Sequence, residues 1–309
     1  MRNFINLKDI PSKDLRKILN DAKKRKKNRK NLNTIDADKD KPLKGKLIVQ
    51  MYEKQSSRTR LSFHIAITQL AAGSITVKAS ELHLGKGGET LADTAKILST
   101  YADGFLLRTD SDKKIEDFSK YLKIPIINLL SPSSHPCQVL SDIFTIEEIT
   151  KKPISNLKIA WIGDSNNVLN SLIAASVKFK FNLSIGCPNN YKPQKFVMKW
   201  VKKNKREVSV LDDPKKAVKG SDVILSDKVF SLNDKTNKLK KINDFKNYKI
   251  NSNLMSYAKK NAIFLHCLPR GDEVSEEVFL GKQSKVWEQA LNRVHVQKSI
   301  LLYCFRKLR

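Results

Sequence analysis

What most constrains the fold is a pattern that recurs along the chain. A short apolar run is followed by a cluster of small and polar residues, then by apolar positions at helical spacing. The clearest instance is Leu47-Ile48-Val49-Gln50-Met51-Tyr52, then Ser56-Ser57-Arg58-Thr59-Arg60, then Phe63, Ile67 and Leu70 at i, i+4 and i+7. That reads as strand, short loop, helix. The pattern returns at Ser74–Val77, Gly104–Leu107 and Pro125–Leu129 in the first half. It returns at Leu157–Ile162, Leu183–Ile185, Val208–Leu211, Val223–Ser226 and Ala262–His266 in the second. Alternating strands and helices imply mostly parallel sheets covered by helices, with ligands bound at the carboxyl ends of the strands. At 309 residues, two such domains are expected. The pattern breaks at Lys151-Lys152-Pro153, which sets the boundary near residue 150.

The polar clusters after the strands carry the chemistry. Ser56–Arg60 puts two guanidinium groups and three hydroxyls at a helix start. Free backbone N–H groups, helix-dipole charge and fork-shaped donors then meet at one place, which suits an anion. The plainer alternative is a solvated basic helix start, because Ser and Thr cap helices anyway. Arg108 and the His135-Pro136-Cys137-Gln138 stretch follow two further strands, so three polar groups fall where one pocket belongs. In the second half Gly163-Asp164-Ser165-Asn166-Asn167 follows a strand without the G-x-G-x-x-G spacing, which favours a small polar ligand over a dinucleotide. Asp227…Ser231 and His266-Cys267-Leu268-Pro269-Arg270 follow two more strands. His266 and Cys267 cannot easily form a base–nucleophile pair, since neighbours on a strand point to opposite faces. Arginines, His135 and Gln138 suit a phosphate and a carbonyl, whereas Asp227, Ser231, Asn166, Asn167 and Cys267 suit an amine or an amino acid. Group transfer between two substrates at an interdomain cleft, with no cofactor, follows from that division.

Other classes fit less well. No apolar run approaches the roughly 20 residues that span a bilayer, and Met1–Leu7 is too short and polar for a signal peptide, so a cytoplasmic location is expected. The four cysteines, Cys137, Cys187, Cys267 and Cys304, are far apart, which supports neither a zinc site nor a disulfide framework. No metal is expected, because the histidines lack companions at ligand spacing. The formal net charge of +28 includes a basic run, Lys23–Lys30, that would attract nucleic acid or anionic membranes nonspecifically. Lysines are nevertheless spread throughout, and no nucleic-acid-binding motif appears, so no dedicated nucleic-acid or membrane partner is expected. The run itself reads as a solvated helix face, and Asn28–Lys44 as an irregular surface loop.

Taken in order, Ser56–Arg60, His135–Gln138 and His266–Arg270 resemble the S-T-R-T-R, H-P-x-Q and H-C-L-P-R motifs of the aspartate/ornithine transcarbamoylase family, nearly end to end. Cys267 favours the ornithine branch, because the aspartate branch usually has leucine there. The resemblance implies an α/β protein of two doubly wound domains, each with a mostly parallel sheet flanked by helices. Residues 1–150 would bind carbamoyl phosphate and 151–287 ornithine, with a C-terminal helix of about 288–309 returning to the first domain. It implies carbamoyl transfer from carbamoyl phosphate to L-ornithine, giving L-citrulline, in a homotrimer or a multiple of trimers. Ser56, Ser57, Arg58 and Thr59 would grip the phosphate, helped by His83, while Arg60 would brace the loop. Arg108 would bridge phosphate and carbonyl oxygen, and His135 would donate to that oxygen. Gln138, Leu268 and Arg293 would position the carbamoyl group. Asn167, Asp227, Ser231 and the Leu232 backbone would hold ornithine, with Cys267 beside its side-chain nitrogen. Arg108, His135, Asp227 and Cys267 would be the catalytic set. The chain departs from the family pattern at Ser57 (usually Thr), Lys228-Val229 (often Thr-Trp), Leu232-Asn233 (usually Met-Gly) and a Gly87-Gly88 loop one residue longer. A related transferase acting on putrescine or an acylated ornithine is the nearest rival.

Overall fold

The computed structural model of the chain describes residues 1–78, 88–230 and 237–308. It divides into two units, Met1–Ser141 with Leu291–Arg309, and Asp142–Ala290.

The first unit runs α1 (Ser12–Lys27), β1 (Leu47–Tyr52), α2 (Ser57–Gln69), β2 (Gly73–Lys78), α3 (Leu91–Tyr101), β3 (Gly104–Arg108), α4 (Asp112–Tyr121), β4 (Ile126–Leu130) and the start of α5 (Pro136–Thr150). Its four strands are all parallel in the order β2-β1-β3-β4. The order reverses between β1 and β3, so the chain leaves these neighbouring strands in opposite directions and opens a crevice at their carboxyl ends. Tyr52 at the end of β1 pairs with Arg108 at the end of β3, which brings the Ser56 loop beside Arg108. Val49, Met51, Phe105, Leu107 and Ile126 line one sheet face and pack on Ala95 and Leu98 of α3 and Ile115 and Phe118 of α4. The rings of Phe105 and Phe118 lie 5.1 Å apart. Burying side chains of this size supplies roughly 1.5–3 kcal/mol each, which makes the sheet a stiff platform for its loops. Thr90 caps α3 by accepting from the Asp93 N–H, and Ser111 caps α4 by accepting from Lys114 N–H.

The second unit continues with the rest of α5, then β5 (Lys158–Ile162), α6 (Asn167–Phe179), β6 (Asn182–Gly186), α7 (Lys195–Lys203), β7 (Ser209–Leu211), α8 (Pro214–Val218), β8 (Val223–Ser226), α9 (Lys238–Phe245), α10 (Ser252–Met255), β9 (Ile263–His266) and α11 (Glu276–Leu280). The five strands are parallel in the order β7-β6-β5-β8-β9, and the reversal here lies between β5 and β8. Ala160, Ile162, Ile224 and Phe264 pack with Val218, Phe245 and Val278. The last helix, α12 (Val286–Cys304), begins in the second unit and from Leu291 belongs to the first. Among the described residues no helix is long and apolar enough to cross a membrane.

Candidate active site

In the first unit the site grows from the crevice between β1 and β3. Ser56 is the N-cap of α2 but makes no capping bond with its side chain. Its hydroxyl instead accepts from Arg108 Nη1 at 3.4 Å. Thr59, one turn into the helix, is buried, and its Oγ1 accepts from Arg293 Nη2 of α12 at 2.6 Å. His135 ends the loop after β4, and Gln138 lies in the first turn of α5; both are buried. His135 is held well below the usual histidine range, first by burial and then by the positive charges of Arg293, Arg108 and Arg58. An imidazole facing three guanidinium groups stays neutral, so it can donate one N–H without carrying charge. The nearest carboxylate in sequence, Glu53, is turned aside to Thr109 Oγ1 and Lys114 Nζ. A cleft of about 410 Å³ opens beside the loop, lined by residues that include Glu53, Ser56, Arg60 and Lys78. Arg60, expected to brace the loop, is exposed and lines this cleft. Positive charge and helix-start N–H groups converge here as an anion requires.

In the second unit the polar groups come from the ends of β5, β8 and β9. Gly163 closes β5 with φ of +143°, a conformation that favours glycine, and the following turn carries Asp164–Asn166 toward β8. Asn166 is the N-cap of α6. Its Oδ1 accepts from Val168 and Leu169 N–H, and its Nδ2 donates to Asp227 Oδ2 at 2.7 Å. The other oxygen, Asp227 Oδ1, accepts from the Cys267 thiol and from Lys228 N–H, each at 2.7 Å. Asp227 is thus fixed by three donors from three strand ends.

Cys267 is positioned by the residues on both sides of it. Leu268 N–H donates to His266 Nδ1 at 2.9 Å, so the His266 proton sits on Nε2, which donates to Glu273 Oε1 at 3.1 Å. Gly271 N–H donates to the same oxygen. Burial opposes ionisation of Glu273, but the His266 and Gly271 hydrogen bonds outweigh it and hold the carboxyl below its usual range. His266 and Cys267 point apart, one braced on Glu273 and the other on Asp227, so they are no catalytic pair. Leu268 has φ of +59°, an outlier for a branched residue. The turn before Asn166 is held in turn by Lys241 of α9. This buried lysine donates to Asp164 Oδ2 at 2.5 Å, and the rings of Tyr191, Phe230 and Phe245 lie 5.5–5.9 Å from its Nζ.

Ser56, Ser57, Arg58, Thr59, Arg108, His135, Gln138 and Arg293 therefore belong to the first unit, and Asn167, Asp227, Cys267 and Leu268 to the second. His83, Ser231 and Leu232 lie outside the described residues. Asn167 is the first residue of α6, while its neighbour Asn166 is the one that touches Asp227. Asn166 carries a signal that sequence can show, an Asn just before a helix. The Lys241–Asp164 pair carries none, since the two residues are 77 positions apart.

One parallel-sheet unit thus carries an arginine–histidine cluster suited to an anion and the other a carboxylate–thiol cluster suited to an amine, the pairing that a two-substrate group transferase requires. Residues 2–148 match the carbamoyl-phosphate-binding domain of aspartate/ornithine carbamoyltransferases, and residues 155–304 match the Asp/Orn-binding domain. The chain belongs to the aspartate/ornithine carbamoyltransferase family. Its curated relatives include the ornithine carbamoyltransferase of Brucella abortus (strain 2308), 39% identical over 99% of this chain and 96% of the relative. That of Rhodopseudomonas palustris (strain BisA53) is 41% identical, over 98% and 97%. The ornithine carbamoyltransferase structure from Pyrococcus furiosus superposes with a TM-score of 0.90 at 36% identity, covering 97% of this chain and 96% of that one. The anabolic enzyme of Campylobacter jejuni gives 0.88 at 34%, covering 99% and 100%.

Proposed function

We propose that this chain transfers the carbamoyl group of carbamoyl phosphate to the side-chain amine of L-ornithine, releasing L-citrulline and phosphate. The observation that carries the reading is Asp227, held by Cys267, Asn166 and the Lys228 N–H at the end of β8. A fixed carboxylate beside a thiol suits an ammonium-bearing acceptor, and full-length relatives bear the ornithine name.

The proposed chemistry follows from the groups present. Ser56, Ser57, Arg58 and Thr59 hold the phosphate, and Arg108 reaches both phosphate and carbonyl oxygen. The ornithine ammonium first loses a proton to solvent. Asp227 accepts from the remaining N–H groups and aims the lone pair, with Cys267 alongside and Asn167 toward the amino-acid end. The nitrogen attacks the carbonyl carbon, and negative charge gathers on its oxygen. Arg108, Thr59 and neutral His135 meet that charge as hydrogen-bond donors that need no rearrangement. The C–O bond to phosphate then breaks, its electron pair leaves with the phosphate, the proton shed by the attacking nitrogen passes to a phosphate oxygen, and Arg58 stabilises the departing charge. Gln138, Arg293 and Leu268 position the carbamoyl group, while Ser231, the Leu232 backbone and His83 complete the contacts. No covalent enzyme intermediate is needed, so Cys267 is a positioning and electrostatic residue.

The reading extends to a homotrimer or a multiple of trimers, in the cytoplasm, serving arginine biosynthesis. The anabolic relative from Campylobacter jejuni supports the direction, and light scattering tests the assembly. Carbamoyl-phosphate-dependent citrulline formation tests the activity itself. Arg58→Ala should lower turnover on the order of 100-fold or more with folding retained. Citrulline formation unaffected by that change would refute the phosphate role.

A further inference from the structure

The basic run Lys23–Lys30 takes no part in the site described above, yet it is not a solvated helix face. Lys23, Lys24, Lys27 and Lys30 are exposed, but Arg25 and Arg29 are buried. Both guanidinium groups converge on Asp38, with Arg25 Nη1 at 3.0 Å and Arg29 Nη1 at 2.7 Å. Lys298, a fully buried residue of α12, donates from Nζ to both Asp38 oxygens at 3.0 Å. Asp21 and Asp40 supply the remaining negative charge through Arg25, so three cations face three carboxylates.

The cluster reaches both halves of the anion site. Asp38 N–H donates to the carbonyl of Gln69, the last residue of α2, at 2.6 Å. Gln69 Nε2 donates to Thr34 O, and Leu43 N–H donates to Leu70 O. These bonds clamp the C-terminal end of the helix whose first turn carries Thr59. On α12, three polar ties fix the helix to α1 and to the Asp38 segment. Lys26 Nζ donates to Asn292 Oδ1 at 2.7 Å, Ser299 Oγ donates to Asp21 Oδ2 at 2.6 Å, and Lys298 holds Asp38. Asn292 and Ser299 are two turns apart on one helix face, whereas Arg293 and Lys298 differ by about 140° around the axis. A helix held at 292, 298 and 299 therefore presents Arg293 at one azimuth and one height, where it meets Thr59 Oγ1.

We propose that the Asp21–Arg25–Asp38 cluster, through Lys298 and Ser299 on α12 and Gln69 on α2, is a positioning element that sets the Arg293–Thr59 contact and thereby the affinity for the phosphate of the substrate. The inference rests on the carbamoyl-phosphate reading of this half-site. It acts at a distance, because Thr59 and Gln69 are separated by about 15 Å of helix. An unpaired charge left in the cluster is costly, so Asp38 itself is a poor target for substitution.

The test uses Lys298→Met and Ser299→Ala in the full-length protein. Ser299→Ala leaves every buried charge in place, and it decides the matter if Lys298→Met does not fold. Lys298→Met should raise the KM for carbamoyl phosphate and the Kd for inorganic phosphate about tenfold, with the ornithine KM changed by less than about twofold. Ser299→Ala should shift the same two constants about threefold. In an Arg293→Lys background, Lys298→Met should add less than about twofold, since both changes act on one contact. Packing alone would lower stability and leave phosphate affinity unmoved, or would give effects that multiply in the double variant; either result overturns the proposal. Phosphate binding is read directly, so the outcome holds even if the protein makes no citrulline, which would instead refute the assigned reaction.

Discussion

Asp227→Asn separates charge from shape in the amine half-site. In the structure Asp227 Oδ1 accepts two hydrogen bonds and Oδ2 one. Asparagine in the same rotamer can keep both Oδ1 bonds, but its NH2 then faces Asn166 Nδ2, donor against donor. Asn166 cannot turn to compensate, because its Oδ1 already caps α6. One lost bond in a half-buried place costs about 1–3 kcal/mol of stability. The loss of charge matters more for catalysis, because the carboxylate is the group that draws in the ammonium and, once a proton has left, aims the lone pair of the amine. Losing one such preorganised electrostatic partner corresponds to about 100- to 1000-fold in rate. The assay is kcat/KM for ornithine at saturating carbamoyl phosphate, paired with chemical denaturation. A fall of at least 100-fold together with a modest loss of stability is expected. A fall below tenfold in a folded variant would show that Asp227 is not the acceptor's anchor, and the reasoning would fail.

Further perturbations address other parts of the account. His135 has a folded pKa below its unfolded value near 6.5. Its contribution to stability is complete above pH 6.5 and is lost as pH falls, by about 1.4 kcal/mol per unit for this group. His135→Asn should remove that slope from denaturation curves between pH 6.5 and 5; an unchanged slope would mean that His135 ionises normally in the folded protein. Lys241→Met strips the buried partner from Asp164 and should cost on the order of 3 kcal/mol. It should also raise the ornithine KM, because Asn166 follows two residues after Asp164; adding Asp164→Asn should recover much of the stability, and no recovery would argue against the pairing. Glu273→Gln weakens the bonds to His266 and Gly271, and should cost about 1–3 kcal/mol in urea denaturation. Turnover should fall with it, since the same bonds brace the Cys267–Leu268 turn.

Much of the fold was legible because strands buried on both faces read as unbroken apolar runs. Seven of the nine strands among the described residues fall on or within a residue or two of such runs, whereas the edge strands β2 and β7 are half exposed and carry Ser and Thr among their apolar positions. The helices were uneven. α1 shows Leu15, Ile18, Leu19 and Ala22 on one face, and all four are buried. α4 offers only Ile115 and Phe118 among charged residues, too thin a stripe to recognise. α9 reverses the rule, with Leu239 and Ile242 exposed and Lys241 buried, because Asp164 and three rings receive the lysine. The same limit hid the Asp38 cluster. Asp21 and Arg25 stand at i, i+4 and could be read as a pair, but Lys298 is 260 residues from Asp38. A segment that reads as a surface loop is irregular as expected, yet its Asp38 and Leu43 are buried. Candidate site residues at strand ends stand out in the sequence for a related reason: polar side chains just past an apolar run stand at the sheet edge where ligands bind in such folds. What sequence could not show was which of two adjacent asparagines turns toward Asp227.

The most direct test of the assigned reaction is a competition in one tube. Carbonyl-13C carbamoyl phosphate is supplied with equal concentrations of L-ornithine and putrescine, and the products are followed by 13C NMR. The label is expected in the ureido carbon of citrulline, with little in carbamoylputrescine. Label entering mainly carbamoylputrescine, or remaining untransferred while Arg58 and Asp227 are intact, would contradict the assigned reaction.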